Sequence, residues 1–323
     1  MMSNYILRRI LYAIPVLLGV NFLTFLLFFT VNTPDHIAKI HLGNKYVTQQ
    51  QIMEWKKQHG YDQPLFYNAE QGNITATIFW QKSIRLFVFD FGISDAGRDI
   101  NQEIVQRYIP SLSIALPALL LGLILHVSVA MLIVFFRHSY LETFGVVVCV
   151  TLMSISMLFY IVFGQFFLAR ILKWLPISGY EFGFNSGKFI LLPVLVSIVG
   201  GLGIGARWYR TFFLEEIHKD YVRTARAKGL SEPVIFFNHV LRNSLIPILT
   251  SVVAVLPLLF MGSLLLESFF AIPGLGSYTI DAIREQDFAI VHAMVFLGTV
   301  LYMLGLILTD ISYMVVDPRV KLN

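Results

Sequence analysis

The chain has one cysteine, Cys149, in 323 residues, so it builds neither an internal disulfide nor a cysteine-based metal centre. Charge is scarce as well. Asp, Glu, Lys and Arg make up 14% of the residues against 56% hydrophobic ones, and the mean hydropathy is +0.70. Those proportions exclude an ordinary soluble domain and identify an integral membrane protein. The eight histidines, His36, His41, His59, His126, His138, His218, His239 and His292, include no H-x-x-x-H pair, which removes the common helical zinc motif. A phosphate loop is missing too, because the one Gly-Lys pair, Gly187-Lys188, runs into Phe189; the chain is expected not to hydrolyse ATP. No nucleophile with a paired base, carboxylate dyad in a soluble domain or metal-spaced cluster supports an enzyme.

What is present is apolar sequence in long pieces. A bilayer core asks for about 20 apolar residues per helix, and six windows lack Asp, Glu, Lys and Arg: Ile10–Pro34, Tyr108–Phe136, Phe144–Ala169, Phe189–Ala206, Asn243–Leu266 and Phe288–Thr309. Lipid offers no hydrogen bonds to the backbone, and the runs are continuous instead of alternating, so an all-α protein with six transmembrane helices is expected. Arg8 and Arg9 precede the first run as in a secretory signal. Its length, and the lack of a small-residue cleavage pattern before Asn32-Thr33-Pro34, favour a retained span.

Orientation follows from the basic residues of the short loops. With the N-terminus inside, the cytoplasmic side carries Arg8, Arg9, Arg137, Arg207, Arg210, Lys219, Arg223, Arg226, Lys228, Arg242, Arg319 and Lys321. The outside then carries only Arg170, Lys173, Lys188 and Arg284. Both termini are expected in the cytoplasm. Three regions result: residues 1–34 with the first span, an extracytoplasmic subdomain at 35–107, and a five-helix core at 108–323 with a cytoplasmic loop at 207–243.

Within the subdomain, Thr48 to Gly60 reads as a short amphipathic helix, with Thr48 as N-cap, Ile52 and Trp55 at i, i+3, and a terminal glycine. Cys149 reads as packing. His126 and His292 fall inside spans, where an interhelical hydrogen bond is expected before a substrate contact. Gly200-Gly-Leu-Gly-Ile-Gly205 lies in an apolar span with no strand before it, so its small residues are expected to let helices approach closely.

The stretch Asp220–Thr250 is the polar exception. Leu214, Ile217, Tyr221, Val222 and Ala225 share one face of a helix, with Glu215, Glu216, Lys219, Asp220, Arg223 and Arg226 opposite and an expected Glu215–Lys219 pair. Gly229 permits a left-handed stop, and Ser231-Glu232-Pro233 restarts the chain. The following Val234–Leu241 reads as a second helix, too apolar for a free surface and too short to span; it needs a partner or the underside of its own bundle.

Asp220-Tyr-Val-Arg-Thr-Ala-Arg-Ala-Lys-Gly-Leu230 and Leu241-Arg-Asn-Ser-Leu-Ile-Pro247 resemble the "EAA" loop of permease subunits in the dipeptide, oligopeptide and nickel branch of binding-protein-dependent ABC importers. The resemblance continues through Leu7-Arg-Arg-Ile10, Gly60-Tyr-Asp-Gln-Pro64, Asp90-Phe-Gly-Ile-Ser94 and Trp174-Leu-Pro-Ile-Ser-Gly-Tyr180. It extends to Glu267-Ser-Phe-Phe-Ala-Ile-Pro-Gly-Leu-Gly276, Asp310-Ile-Ser-Tyr313 and Asp317-Pro-Arg319. It implies the type I importer permease architecture in a bacterial cytoplasmic membrane. The implied partners are a second homologous permease, two cytoplasmic ATPase subunits, an extracytoplasmic solute-binding protein and membrane lipid, with no nucleic acid. No cofactor would be held by this chain, ATP and Mg belonging to the ATPases.

By the same resemblance Tyr221, Arg223, Thr224, Ala225, Arg226, Ala227, Gly229 and Leu230 form the ATPase-coupling loop, with Ala225 and Ala227 allowing close approach and the two arginines offering charge-assisted hydrogen bonds. Glu267, Pro273, Gly274 and Gly276 fall where the family places an extracytoplasmic gate or binding-protein contact; a merely solvated Glu267 is the alternative. Asp310 is expected to pair with Arg319 or Lys321, or to anchor the helix end, before serving a substrate or a proton.

Two departures stand out. Counting back from Gly229 gives Arg223-Thr224-Ala225 where the classical loop has Glu-Ala-Ala, a trait of the peptide branch. Ser156 stands where the branch commonly carries proline, and regaining a backbone donor is expected to straighten the third span. Peptides are the expected cargo, with nickel or oligosaccharides as alternatives. A secondary transporter would need mid-span carboxylates that are missing here, and a membrane scaffold would bind ATPases without transport.

Overall fold

The computed structural model describes residues 2–43, 47–68, 75–183 and 186–316. In chain order the helices are α1 (Met2–Val31), α2 (Pro34–Leu42), α3 (Gln49–His59), α4 (Ile78–Lys82), α5 (Ile100–Phe135), α6 (Tyr140–Ser154), α7 (Met157–Gly164), α8 (Ser186–Ile217), α9 (Asp220–Ala227), α10 (Glu232–Ile235), α11 (Arg242–Val255), α12 (Leu264–Phe269), α13 (Leu275–Glu285) and α14 (Phe288–Val316). Short 3-10 turns follow α4 (Ile84–Val88) and α11 (Leu256–Met261), and π-helical segments follow α7 (Gln165–Ile171) and α10 (Phe236–Leu241). Among the described residues, five helical stretches are long and apolar enough to cross a membrane: Leu7–Val31, Ile100–Phe135, Ser186–Ile217, Glu232–Phe269 and Phe288–Ser312. The pair α6 with Met157–Ile171 passes the same test only as a pair bent by 88°, so the spans number five, or six counting it as one. The all-helical architecture is as expected, with five or six candidate spans.

The bend corrects the expectation of a straight third span. Ile155 is extended (φ −87°, ψ 133°), and Ser156, extended as well (φ −68°, ψ 149°), accepts from the Phe159 amide at 3.3 Å. A serine here therefore does not restore the helix. It caps a new one, because its side chain competes for backbone donors as N-caps do.

Two further boundaries differ from expectation. The face running from Leu214 to Ala225 is not one helix: α8 stops at Ile217, and Lys219 turns extended (φ −71°, ψ 154°) to start α9. Lys219 pairs with Glu216, not Glu215. The apolar run after Pro233 is no separate helix either, since α10, its π segment and α11 follow one another into the fifth span. That span is interrupted near its far end. Pro257 lacks the N–H an α-helix needs there, the chain tightens to 3-10, and Gly262 (φ 68°, ψ −174°) breaks it before α12.

The chain divides into two units, each with its own interior. Among the described residues unit 1 comprises 2–109 and 275–307. Its core gathers Phe25 and Phe29 from α1, Ile37 from α2, Ile52 and Trp55 from α3, with Tyr61, Ile78 and Phe288. The expected short helix is α3: Thr48 and Gln51 form a reciprocal capping box, Gly60 ends it in the left-handed region (φ 72°), and Ile52 and Trp55 are buried. Each such side chain contributes about 1.5–3 kcal/mol by leaving water. Trp55 is stacked between His59 at 4.2 Å and Tyr61 at 5.5 Å.

Among the described residues unit 2 comprises 110–274 and 308–316. One cluster, including Ile114, Ile161, Leu192, Val196 and Phe270, joins α5, α7, α8 and the turn after α12. A second, including Phe213, Ile217, Val222, Ile235, Phe236 and Val240, gathers around the polar stretch. The small residues of α8 act as their spacing suggests. A Cβ at Gly203 would strike the Cys149 carbonyl and the Met153 amide of α6, so only glycine permits this approach. Cys149 is buried, and the His126 ring reaches the Ile198 carbonyl at 3.0 Å. The expected pairing of Asp310 with Arg319 or Lys321 falls on residues outside those described, as does Asp317.

Candidate functional site

The polar stretch is held from within. Glu216, in the last turn of α8, is buried although the helical wheel set it on the polar side. Its carboxylate accepts from the Tyr221 hydroxyl at 2.7 Å and pairs with Lys219. Burial, aided by the Glu216 charge, pushes the Tyr221 hydroxyl up to about 12, while hydrogen bonding with Asn243 pulls the other way. Tyr221 thus ties together the end of α8, the start of α9 and the start of α11.

Val222 and Ala225 are buried against Ile217, Ile235 and Phe236. This answers where the apolar residues after Pro233 go: onto the underside of their own bundle. Arg226 is also engaged internally. Its Nε and Nη2 donate to Glu232 at 2.6 and 3.3 Å, and Glu232 also receives Arg137 at 3.4 Å. Gly229 has φ 80°, a conformation costly for any other residue. Of the eight residues singled out, Arg223, Thr224, Ala227, Gly229 and Leu230 are exposed, Tyr221 is half-buried, Ala225 is buried, and Arg226 is exposed but paired. Arg223 is the open cation, 74% exposed and only 3.5 Å from Asp220 at its nearest. Close approach at Ala225 is already used by the chain itself.

The second place of interest is Glu267, which is 1% exposed and therefore not solvated. It lies in α12, where Ser263 caps the helix and the carboxylate accepts from the Ser263 amide at 3.0 Å. Gly262 and Gly274 close around it: a Cβ on either would land on the Glu267 carboxylate and on the Ser111 hydroxyl of α5. Two glycines at these positions let backbone surround an acid. Pro273 is half-buried just before Gly274, whereas Gly276 belongs to α13 of unit 1. The turn after α12 is braced by Gly179, whose amide donates to Phe270 at 2.8 Å, and by Gln165, which donates to Phe269 at 3.0 Å.

Beside this knot is a cavity of about 410 Å³, lined by Ser111, His126, Met157, Ser197, Leu259 and Glu267 among others. Its wall is mostly apolar with a few polar groups, the usual make-up of a small-molecule site.

Unit 1 carries a polar cluster that sequence reasoning missed. Asp95 is buried and accepts from the Tyr61 hydroxyl at 2.9 Å and the Phe288 amide at 3.2 Å. Asp287 is buried beside it and accepts from the amides of Ala96 and Ile290. Burial and the neighbouring Asp95 hold the Asp287 carboxyl above its usual range. One signal was available, since an Asp just ahead of a long apolar run is an N-cap in waiting. Asn21 of α1 completes the arrangement, donating to the Ser83 carbonyl at 2.9 Å and meeting His292 of α14 at 2.5 Å. Both halves of that pair sit inside spans, as the interhelical reading of His292 expects. Among the described residues no His, Cys, Asp and Glu gather as a metal site would require.

Residues 104–322 match the family described as the binding-protein-dependent transport system inner membrane component, and residues 2–86 match the N-terminal region of such membrane components. The chain is 29% identical over 329 residues to the glutathione transport system permease protein GsiC of Salmonella paratyphi A, covering 99% of each chain. It is 28% identical to the GsiC proteins of Escherichia coli K12, over 327 residues, and Shigella flexneri serotype 5b, over 325 residues, again covering 99% of each chain.

Proposed function

The chain belongs to the inner-membrane components of binding-protein-dependent transport systems, and from that premise we propose that it forms half of the translocation pathway of an ATP-driven peptide importer. It is a multi-pass permease subunit of an ABC importer and is not itself catalytic. In the proposed complex it pairs with a second permease, docks on one of two cytoplasmic ATPases, and receives cargo from an extracytoplasmic binding protein. Both termini then face the cytoplasm, and the 35–107 region lies outside.

The observation that carries the coupling reading is the division of labour in α9. One face, Val222 and Ala225, is fixed to the chain's own core, while Arg223, Thr224, Ala227 and Leu230 stand exposed beside the Gly229 turn. A helix rigidly attached on one side and open on the other transmits a push. ATP-driven closure of the ATPases moves it as a rigid body and reorients the spans. The cavity between Ser111 and Glu267 is this subunit's share of the pathway, and the Glu267 knot is its extracytoplasmic gate.

Peptide cargo is supported by the relatives' names, since glutathione is itself a small peptide. The test is uptake by the complete transporter in proteoliposomes, with its own binding protein, of labelled glutathione, a dipeptide, nickel ion and an oligosaccharide in parallel. ATP-dependent accumulation of glutathione or the dipeptide is expected; accumulation of nickel or the sugar alone overturns the peptide reading.

A further inference from the structure

Unit 1 contains a second cavity, of about 530 Å³, that the transport reading leaves unused. Its wall comes from α3, from α4 with the 3-10 turn after it, from the Asp90–Ile93 turn and from the first turn of α14. The charged lining is one-sided: Lys57, Lys82 and Arg85 against the single carboxylate Asp90, a balance of three minus one, with His59 and His292 adding ring nitrogens. Arg85 reaches Asp90 only at 4.0 Å, with both side chains more than half exposed.

Lys82 is the most telling of these. Its ammonium lies 4.7 Å from the centre of the Tyr61 ring, and among the described residues no carboxylate is within ion-pair distance of it. Burial lowers its pKa despite the more distant charges of Asp95 and Asp287. A largely desolvated cation beside an open, net positive cavity favours an anionic ligand.

The surroundings say which kind. The Ser83 carbonyl, next to Lys82, is held by Asn21, which also meets His292 four residues into α14. The α4 segment therefore lies level with the start of the last span, about 6 Å from the beginning of α14 at 1.5 Å per residue, where lipid headgroups sit. On the same segment Trp80, Val88 and Phe89 are apolar and exposed. A cationic cavity at this boundary, with exposed apolar side chains on the segment that forms its wall, fits a molecule with a charged head and a hydrocarbon body.

We propose that this cavity binds the phosphate of an anionic phospholipid, with Lys82 and Arg85 on the headgroup and the acyl chains against Trp80, Val88 and Phe89. The test is lipid titration of the assembled transporter in detergent, followed by native mass spectrometry, using phosphatidylglycerol, diacylglycerol and inorganic phosphate as separate probes. Phosphatidylglycerol should bind and diacylglycerol should not. The double variant Lys82→Gln/Arg85→Gln should weaken phosphatidylglycerol about thirtyfold, while Lys173→Gln, an exposed cation of unit 2, should change nothing.

Equal loss in the Lys173 variant would mean diffuse surface binding and would overturn the site, as would an unchanged affinity in the double variant. Inorganic phosphate binding as tightly as the lipid, and displacing it, would make this a free-anion site and overturn the lipid assignment. Should the double variant fail to assemble, the exposed single change Arg85→Gln and the three-probe comparison on the unaltered transporter decide the same question.

Discussion

The Tyr221 hydroxyl donates to the buried Glu216 carboxylate at 2.7 Å, across the joint where α8 ends and α9 begins. Tyr221→Phe removes this donor and leaves Glu216 short of a partner, at a cost of about 1–3 kcal/mol. The expected outcome is a transporter that assembles and hydrolyses ATP but moves less substrate per ATP, measured as the ratio of uptake to phosphate release. An unchanged ratio would remove the joint from the lever. The sign with pH is also fixed. A hydroxyl raised to about 12 from an ordinary 10 contributes stability that is whole below pH 10 and fades towards 12, so Tyr221→Phe should flatten the alkaline limb of the melting profile.

Ala225 and Ala227 are two residues apart and face opposite ways, the first buried and the second exposed. Ala225→Trp overpacks the chain's own core and should destabilise it by about 1–3 kcal/mol or more, seen as a lower melting temperature of the isolated subunit. Ala227→Trp should leave that melting temperature alone and instead block co-purification of the ATPase. Reversal of the two results would place the docking face on the wrong side of α9.

Ser156 has φ −68° and follows an extended Ile155, a backbone that already suits proline and the residue before it. Ser156→Pro should therefore keep the 88° bend and normal transport. Ser156→Ala, which loses the cap on the Phe159 amide, should cost about 1 kcal/mol. Thermal stability of the two variants side by side checks this, with alanine expected to be the worse.

Asp287 gives a pH prediction of opposite character to the usual acid denaturation. Its carboxyl is held above the ordinary value by burial and by Asp95, so the folded state binds the proton more tightly than the unfolded one. Its contribution is whole below the usual carboxylate range and is lost as pH rises through the raised value. Amide exchange at Ala96 and Ile290 should therefore slow as pH falls from neutral, after correction for intrinsic rates. Asp287→Asn should flatten that dependence whatever it does to absolute stability.

The spans were legible because lipid imposes one rule on every residue at once: long apolar runs without charge must be helices. The capped helix after Thr48 was legible because its signals are local. What the sequence did not disclose depends on choices between near-equal local options. Ser156 can continue a helix or cap one, and only the packing of α6 and α7 selects the cap. Glu216 sits on a polar arc of the helical wheel, yet a break two residues later turns it inward to meet Tyr221. Asp95 and Asp287 are nearly two hundred residues apart, and no local pattern announces that their carboxylates share one buried place. The loop proposed for coupling was singled out by its resemblance to the family's loop, but periodicity treats every residue of an apolar face alike and could not separate Ala225, spent on the interior, from Ala227.

Asn21 has a timetable built into it. Its side chain holds the Ser83 carbonyl with one end and His292 with the other, so a contact begun by residue 21 cannot be finished until residue 292 has left the ribosome and entered the bilayer. The segment that follows the first span must wait, through the synthesis of the intervening spans, for the last one to arrive. A product truncated before α14 would thus leave Asn21 without its His292 partner.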